Sequence, residues 1–275
     1  MKLGRRVIRH INFTLRRRID GRWIKLPVLG GLKAGISGQR FLLDILKHFL
    51  PKLDGAVVDV GVNIGQTLCK VKLADPHQSY YGFEPNAACH AYVEQLVRIN
   101  DWTNVSIFSC GLSDRTTMLH LHVSPDKGTD GFGSFLPCIL PNGRRENHLS
   151  WAKPAAVFAY TEIAYLIEER IALLKIDVEG TELEVVRGMA NVIHRDEPIV
   201  VIELIPDESL IGRHEETITL LQSLDYNLFT IGKQRNACWA GLKPIRSYVT
   251  PDDLSMSDYL AIPRSKRSLL DDVPA

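Results

Sequence analysis

From about residue 55 onward the chain alternates short apolar runs with stretches of helical period, and that order admits little besides a mostly parallel sheet covered by helices. Residues 56–60, 79–83 and 105–109 read as strands, with helices over 66–74 and 87–99 between them. Residues 173–189, LLKIDVEGTELEVVRGM, carry the most chemistry. An apolar strand ends in acid, then glycine, then an amphipathic helix. Lys175, Asp177 and Glu179 sit at alternate positions, so an extended backbone would gather three charged groups on one face. Thr181 and Glu184 have the spacing of a capping box, and Val185, Val186, Met189, Val192 and Ile193 recur so as to cover a sheet. Carboxylates at the end of such a strand stand where open α/β sheets bind ligands. Taken alone, the segment can also be a solvated loop with ordinary capping acids.

Size and composition set the frame. The 275 residues have ordinary apolar content and a formal net charge of +1, as in a soluble globular protein with a sizeable core. No apolar run is long enough to cross a bilayer, and the basic start lacks the apolar centre of a secretory signal. The five cysteines, Cys69, Cys89, Cys110, Cys138 and Cys238, are scattered without a C-x-x-C pair. Neither a disulfide framework nor a zinc site is expected, and a reducing cytoplasm is the natural setting. Basic charge gathers at Arg5, Arg6, Arg9, Arg16, Arg17, Arg18, Arg22 and Lys25. Such a patch suits peripheral contact with the inner membrane surface, an anionic substrate, or simply solvent. No aromatic pattern interleaves with the arginines, so nucleic acid is not expected as a partner.

Three parts follow along the chain. Residues 1–36 form a basic segment in which two alternating runs flank Asp20-Gly21, a strong hairpin signal, after a short basic helix over 3–10. Residues 37–263 form the main domain. Its first helix is capped by Ser37, carries Phe41, Leu42, Ile45, Leu46 and Phe49, and stops at Pro51. Residues 118–123 are extended. Residues 124–160, rich in Gly, Pro, Asn and Ser through 154, read as a long loop covering the acceptor. A strand over 157–160 and a helix over 161–169 precede the charged segment. A strand at 199–204, a helix at 214–224 and strands at 227–231 and 259–262 complete the domain. Residues 264–275 read as a flexible tail.

The first strand runs into Asp59-Val60-Gly61-Val62-Asn63-Ile64-Gly65. The glycines let the backbone turn sharply and approach a ligand. A dinucleotide fold would place G-x-G-x-x-G here to seat a pyrophosphate. That spacing is missing, which counts against an oxidoreductase, and an acid precedes the first glycine. An acid there repels phosphate and attracts a cation, so S-adenosylmethionine is the better ligand. The second strand ends in Phe83-Glu84-Pro85-Asn86, and Glu84 is placed to bond ribose hydroxyls or, alternatively, to cap the next helix. In the turn Gly111-Leu112-Ser113-Asp114, Leu112 can pack on an adenine face and Ser113 or Asp114 can meet its amino group.

Together with IDVEGTE at 176–182, these motifs resemble the FkbM family of S-adenosylmethionine-dependent methyltransferases over roughly residues 40–205. The resemblance implies a Rossmann-like class I methyltransferase fold, a mostly parallel seven-stranded sheet with helices on both faces. It also implies methyl transfer to a hydroxyl of a sugar or other small natural-product acceptor, as in polysaccharide biosynthesis. Asp59, Gly61, Asn63, Gly65, Glu84, Pro85, Leu112, Ser113, Asp114 and Asp177 become the cofactor residues. Val62 departs from the usual alanine. Asp177, Glu179 and Glu203 are the candidates for ammonium contact and alcohol deprotonation, and Lys175 for fixing their charge. A divalent metal held by the same carboxylates would lower the alcohol's pKa, but no spacing demands one. His148 and His214 are alternative bases, and Ser134 lies in the covering segment. His120 and His122 alternate but have no third ligand. A second class of reading is a binding module of the same fold with little or no turnover.

Overall fold

The computed structural model describes residues 12–29, 34, 39–123, 133–136, 151–233, 238–250 and 257–273. The expected helix over 3–10, Ser37, Cys138, His148 and most of the covering loop lie outside these residues. Strands β1 (Phe13–Ile19) and β2 (Arg22–Val28) form the N-terminal hairpin, with Asp20 and Gly21 both at positive φ as a tight Asp-Gly turn requires. Helix α1 (Arg40–Phe49) starts from Gln39 in the left-handed region, not from a Ser37 cap. Pro51 does not cut it off directly; the helix tightens into a 3-10 turn, Leu50–Lys52, that contains the proline.

The β/α alternation follows as β3 (Ala56–Val60), α2 (Gln66–Ala74), β4 (Tyr80–Phe83), α3 (Ala87–Ile99) and β5 (Val105–Phe108). After an excursion the chain returns with β10 (Ile171–Ile176), α5 (Glu182–Asp196), β11 (Ile199–Glu203), α6 (Ile211–Ser223), β12 (Tyr226–Lys233), β13 (Trp239–Ile245) and β14 (Asp258–Pro263). The sheet has eight strands, in the order β13-β12-β14-β11-β10-β3-β4-β5. The five from β11 to β5 run parallel, and β14, β12 and β13 extend the sheet through antiparallel pairs. The strand beyond the expected seven is β13. It contains Gly241 and Pro244, which mask it as a loop, and an edge position tolerates both.

The excursion is a second, four-stranded sheet: β6 (Gly111–Ser113), β9 (Trp151–Ala159), β7 (Thr117–Val123) and β8 (Gly133–Ser134). The strand expected at 157–160 therefore begins at Trp151. Pro154 hid its first half, and β9 can hold a proline there because β6 pairs only with Val157–Ala159. The helix expected over 161–169 is only α4 (Tyr160–Ile163) and a 3-10 turn, Ala164–Leu166. Ile167 then turns extended and is buried.

Two apolar layers sandwich the main sheet. One packs α1, α2, α3 and the hairpin's Ile24 and Leu26 against β3, β10, β11 and β14. The other packs α5, α6, Tyr160 and Ile163 on the opposite face. All six residues of β10 are buried, and each large aliphatic side chain among them is worth roughly 1.5–3 kcal/mol. Residues 264–273 are not a loose tail. Arg264–Leu270 forms 3-10 turns, and Leu269, Leu270 and Val273 pack on the first layer, where their apolar surface finds cover. Among the described residues no helix is long and apolar enough to cross a membrane.

Candidate active site

Strands β4 and β5 lie on one side of β3 and β10 on the other, so the order reverses at the β3–β10 seam. There the chain leaves β3 through Gly61, Asn63 and Gly65, all at positive φ. A Cβ on Gly61 would overlap the carbonyl oxygen of Asp177. The loop thus crosses directly against the end of β10, where Asp177 N donates to Val60 O at 3.0 Å. Val62 fits because its methyl occupies the space left by Gly82 on β4; a Cβ on Gly82 would lie 2.5 Å from it.

Glu84 closes the loop from the other side. One carboxylate oxygen accepts from Asn63 N and the other from Asn86 N, both at 2.7 Å. The cap of α3 is Asn86, whose side chain accepts from Ala88 N at 3.2 Å. Glu84 therefore staples the glycine loop to the start of the next helix, with Pro85 half-buried between. Burial pushes its carboxyl up to about 7 against the pull of the two N–H groups. Each oxygen keeps lone-pair capacity for a hydroxyl.

Asp59 lies behind the loop, fully buried. Tyr80 donates its hydroxyl to one oxygen, and the other has no hydrogen-bond partner. Burial pushes this carboxyl up to about 7, with Lys175 and Tyr80 pulling it down. An unmet buried acceptor costs about 1–3 kcal/mol.

Lys175 and Asp177 do share a side. Lys175 Nζ donates to Asp177 at 3.0 Å; the lysine is buried and the Asp177 side chain is 26% exposed. Burial works to lower the Lys175 pKa, but Asp177, Asp258, Glu203 and Asp59 outweigh it and hold the ammonium above the ordinary lysine range. The strand has ended by Ile176, so Glu179 does not follow by pleat. It joins through a turn, in left-handed conformation at φ 58° with Gly180 after it at 108°. Burial, then Asp177 and Glu182, push the Glu179 carboxyl up to about 8. Burial, then Asp177 and Asp258, push Glu203 up to about 9, and Ser257 Oγ donates to it at 2.7 Å.

The capping box does not form. Thr181 stands at the N-cap of α5 without a side-chain cap, because its hydroxyl turns back to Val178 O. Glu184 pairs with Arg213 of α6, and the buried Glu182 accepts from Gly180 N at 2.8 Å instead. Gly111-Leu112-Ser113-Asp114 is not a free turn. Its first three residues are β6, and a Cβ on Gly188 of α5 would overlap Ser113 O. Leu112 is buried in the apolar layer with Tyr160 and Ile163, and Ser113 Oγ donates to Asp114 at 3.3 Å. His214 is a packing residue, buried, with Nε2 2.8 Å from Ile205 O and its ring against Tyr248. His122 lies opposite Ser134 in the second sheet and His120 opposite Pro154. Ser134 Oγ donates to Glu179 O at 2.7 Å and accepts from Leu136 N at 3.0 Å, tying the covering segment to the acidic turn. Among the described residues no group of three or more His, Cys, Asp or Glu is arranged to hold a metal ion.

Tyr80, Ser257 and Asp258 are the participants that sequence reading missed. Asp258 lies opposite Glu203 because the reversed β14 starts where β11 ends, and Lys233 holds it at 2.9 Å. Only strand pairing reveals that neighbour.

The family profile described as Methyltransferase FkbM domain matches residues 59–228, more than half of the chain. The chain belongs to the FkbM methyltransferase family. Among its relatives, Methyltransferase sdnD of Sordaria araneosa is 28% identical over 158 residues, 48% of this chain and 60% of that protein. Methyltransferase 1 of Beauveria bassiana is 25% identical over 158 residues, 50% of this chain and 59% of that protein. The match thus spans about three fifths of each relative. A solved FkbM methyltransferase from Methylobacillus flagellatus aligns with TM-score 0.45 and 15% identity, covering 76% of this chain and 43% of that one.

Proposed function

We propose that the enzyme moves a methyl group from S-adenosylmethionine to a hydroxyl of a sugar or other small natural-product acceptor, as in the tailoring of polysaccharides. The observation that carries this reading is the pair of carboxyls Glu179 and Glu203, raised to about 8 and about 9 beside the fixed Lys175–Asp177 ion pair. An alcohol needs a base; only the ionised form of such a carboxyl accepts the alcohol's proton, and it binds that proton more firmly than an ordinary carboxylate would. Asp59, Gly61, Asn63, Gly65, Glu84, Pro85, Leu112, Ser113, Asp114 and Asp177 would hold the cofactor. Within that set Glu84 serves the ribose hydroxyls and Asp177 the ammonium. When bound there, S-adenosylmethionine supplies an electrophilic methyl on a good leaving group. The chain's part is to align the acceptor oxygen, exclude water and take its proton at Glu179 or Glu203. Cys69, Cys89 and Cys110 are free thiols, which favours a cytoplasmic setting.

Thermal shift with millimolar S-adenosylhomocysteine and, separately, NAD tests the cofactor. Stabilisation by the former is expected, and its absence would sink the reading. Labelled methyl transfer to a panel of sugars then tests the reaction. Glu179→Gln or Glu203→Gln should lower turnover by about 10²-fold or more while leaving S-adenosylhomocysteine stabilisation in place. Wild-type turnover in both variants would remove the assignment of the base.

A further inference from the structure

Residues directly opposite in an antiparallel pair point to the same face. In the hairpin, Leu15 lies opposite Leu26 and Arg17 opposite Ile24, and this face buries Ile24, Leu26 and Val28. The other face carries Arg16 opposite Lys25 and Arg18 opposite Trp23. Trp23 is 66% exposed. Arg16, Arg17, Arg18 and Arg22 are exposed as well. The ribbon is a fixed platform, not a loose arm. Tyr92 donates its hydroxyl to Pro27 O at 2.7 Å. The Asn100 side chain accepts from Lys25 N at 2.9 Å and donates to Lys25 O at 2.7 Å.

The charges on this platform are not balanced. Asp20, at the turn, is taken by Arg40 and Lys47, and Asp101 is taken by Lys25. Among the described residues, Arg16, Arg17 and Arg22 have no acid within ion-pair distance. The sequence ahead of the hairpin adds Lys2, Arg5, Arg6 and Arg9. Arginines on an open edge strand also discourage strand-to-strand aggregation. That accounts for the charges but not for an indole held out among them.

We propose that this face docks on an anionic lipid bilayer, with Trp23 entering the headgroup layer and Arg16 and Arg18 meeting the lipid phosphates. An indole has an apolar body and a polar N–H, which suits the membrane interface. Each arginine near an anionic leaflet adds to the attraction. A nucleic acid fits less well, because Phe13 belongs to the opposite face of the ribbon and leaves no row of rings for stacked bases. The inference does not depend on the methyl acceptor or on turnover.

Co-sedimentation with vesicles tests it, using phosphatidylcholine alone and phosphatidylcholine mixed with phosphatidylserine. The full chain is expected to sediment with the mixed vesicles only, and less so as salt rises. Trp emission should shift to the blue on binding, and Trp23→Phe should remove most of that shift. Arg16→Glu with Arg18→Glu should weaken binding by about tenfold or more. Lys243→Glu, on the far edge of the main sheet, should change nothing. An unchanged melting temperature in each variant shows that the fold is intact; if the double charge reversal unfolds the protein, Arg16→Gln with Arg18→Gln replaces it. No sedimentation with anionic vesicles overturns the proposal. So does equal binding to neutral vesicles, or binding that survives the arginine and Trp23 variants. Tighter binding to single-stranded RNA, lost in the same variants, would reassign the face to nucleic acid. A dimer abolished by Trp23→Ala would reassign it to a second copy of this chain.

Discussion

At the scale of single residues, the site depends on where a side chain is missing. Gly61 lets the glycine loop lie against the backbone of Asp177, while Gly82 makes room for Val62. Gly21 sits at a similar positive φ, 83°, but has nothing within 4 Å of its Cβ position. The two glycines thus separate conformational strain from steric overlap. Gly21→Ala should cost only the left-handed penalty, about 1–2 kcal/mol. Gly61→Ala carries that penalty and must also push two backbones apart, so it should lower Tm by several degrees more and abolish stabilisation by S-adenosylhomocysteine. Equal melting shifts in the two variants would show that the seam relaxes freely. The glycines and acids of this loop were legible in sequence, because turns and strand ends leave local signatures. The partnerships were not. That Asp59 bonds Tyr80, or that Glu84 holds two backbone N–H groups of separate elements, follows from which strands lie side by side.

At the scale of elements, one hydroxyl links the excursion sheet to the acidic turn. Ser134 Oγ serves both Glu179 O and Leu136 N, so Ser134→Ala leaves a half-buried donor and a half-buried carbonyl oxygen without that partner, at a cost of about 1 kcal/mol. The expected outcome is faster amide exchange in the peptide spanning 179–182, with S-adenosylhomocysteine affinity within about twofold of wild type. Ser134→Thr should restore slow exchange. If exchange in that peptide is untouched by Ser134→Ala, the turn is held by its own bonds. Elements of strong period, such as α2, α3 and β3, were readable to the residue. Those containing proline or glycine, β9 and β13, were not, because a proline is tolerated wherever the second side of a strand lacks a partner. The expected capping box failed for a related reason: the left-handed Glu179–Gly180 turn directs the Thr181 hydroxyl backwards, and Glu182 meets the free N–H instead.

At the scale of the whole molecule, burial has raised five carboxyls along one side of the sheet. Asp59, Glu84 and Glu182 reach about 7, Glu179 about 8 and Glu203 about 9. Their unfolded values are near 4, so the folded chain keeps more protons than the unfolded one across the interval between. The stability these groups contribute is therefore full below pH 4 and is lost as pH rises through about 7 to 9. Lys70 and Lys72, lowered by burial to about 8, act in the opposite sense and favour the folded state again toward pH 10. Melting temperature should accordingly fall between about pH 5 and 9 in the ligand-free protein, and fall less steeply with S-adenosylhomocysteine, whose ammonium favours ionised carboxylates. A melting temperature that climbs over that interval would contradict the sign. By itself the sequence determined the β/α order, the hairpin, the glycine loop and the acids at the strand ends, since periodicity and turn chemistry act over a few neighbouring residues. Only the tertiary structure decided that β14 returns antiparallel beside β11 and so sets Asp258 opposite Glu203. It also decided that Glu179 arrives by a turn and that Asp59 lies behind the loop, out of solvent. Those outcomes depend on strand order and on burial, and both are properties of the assembled sheet that no local stretch of residues contains.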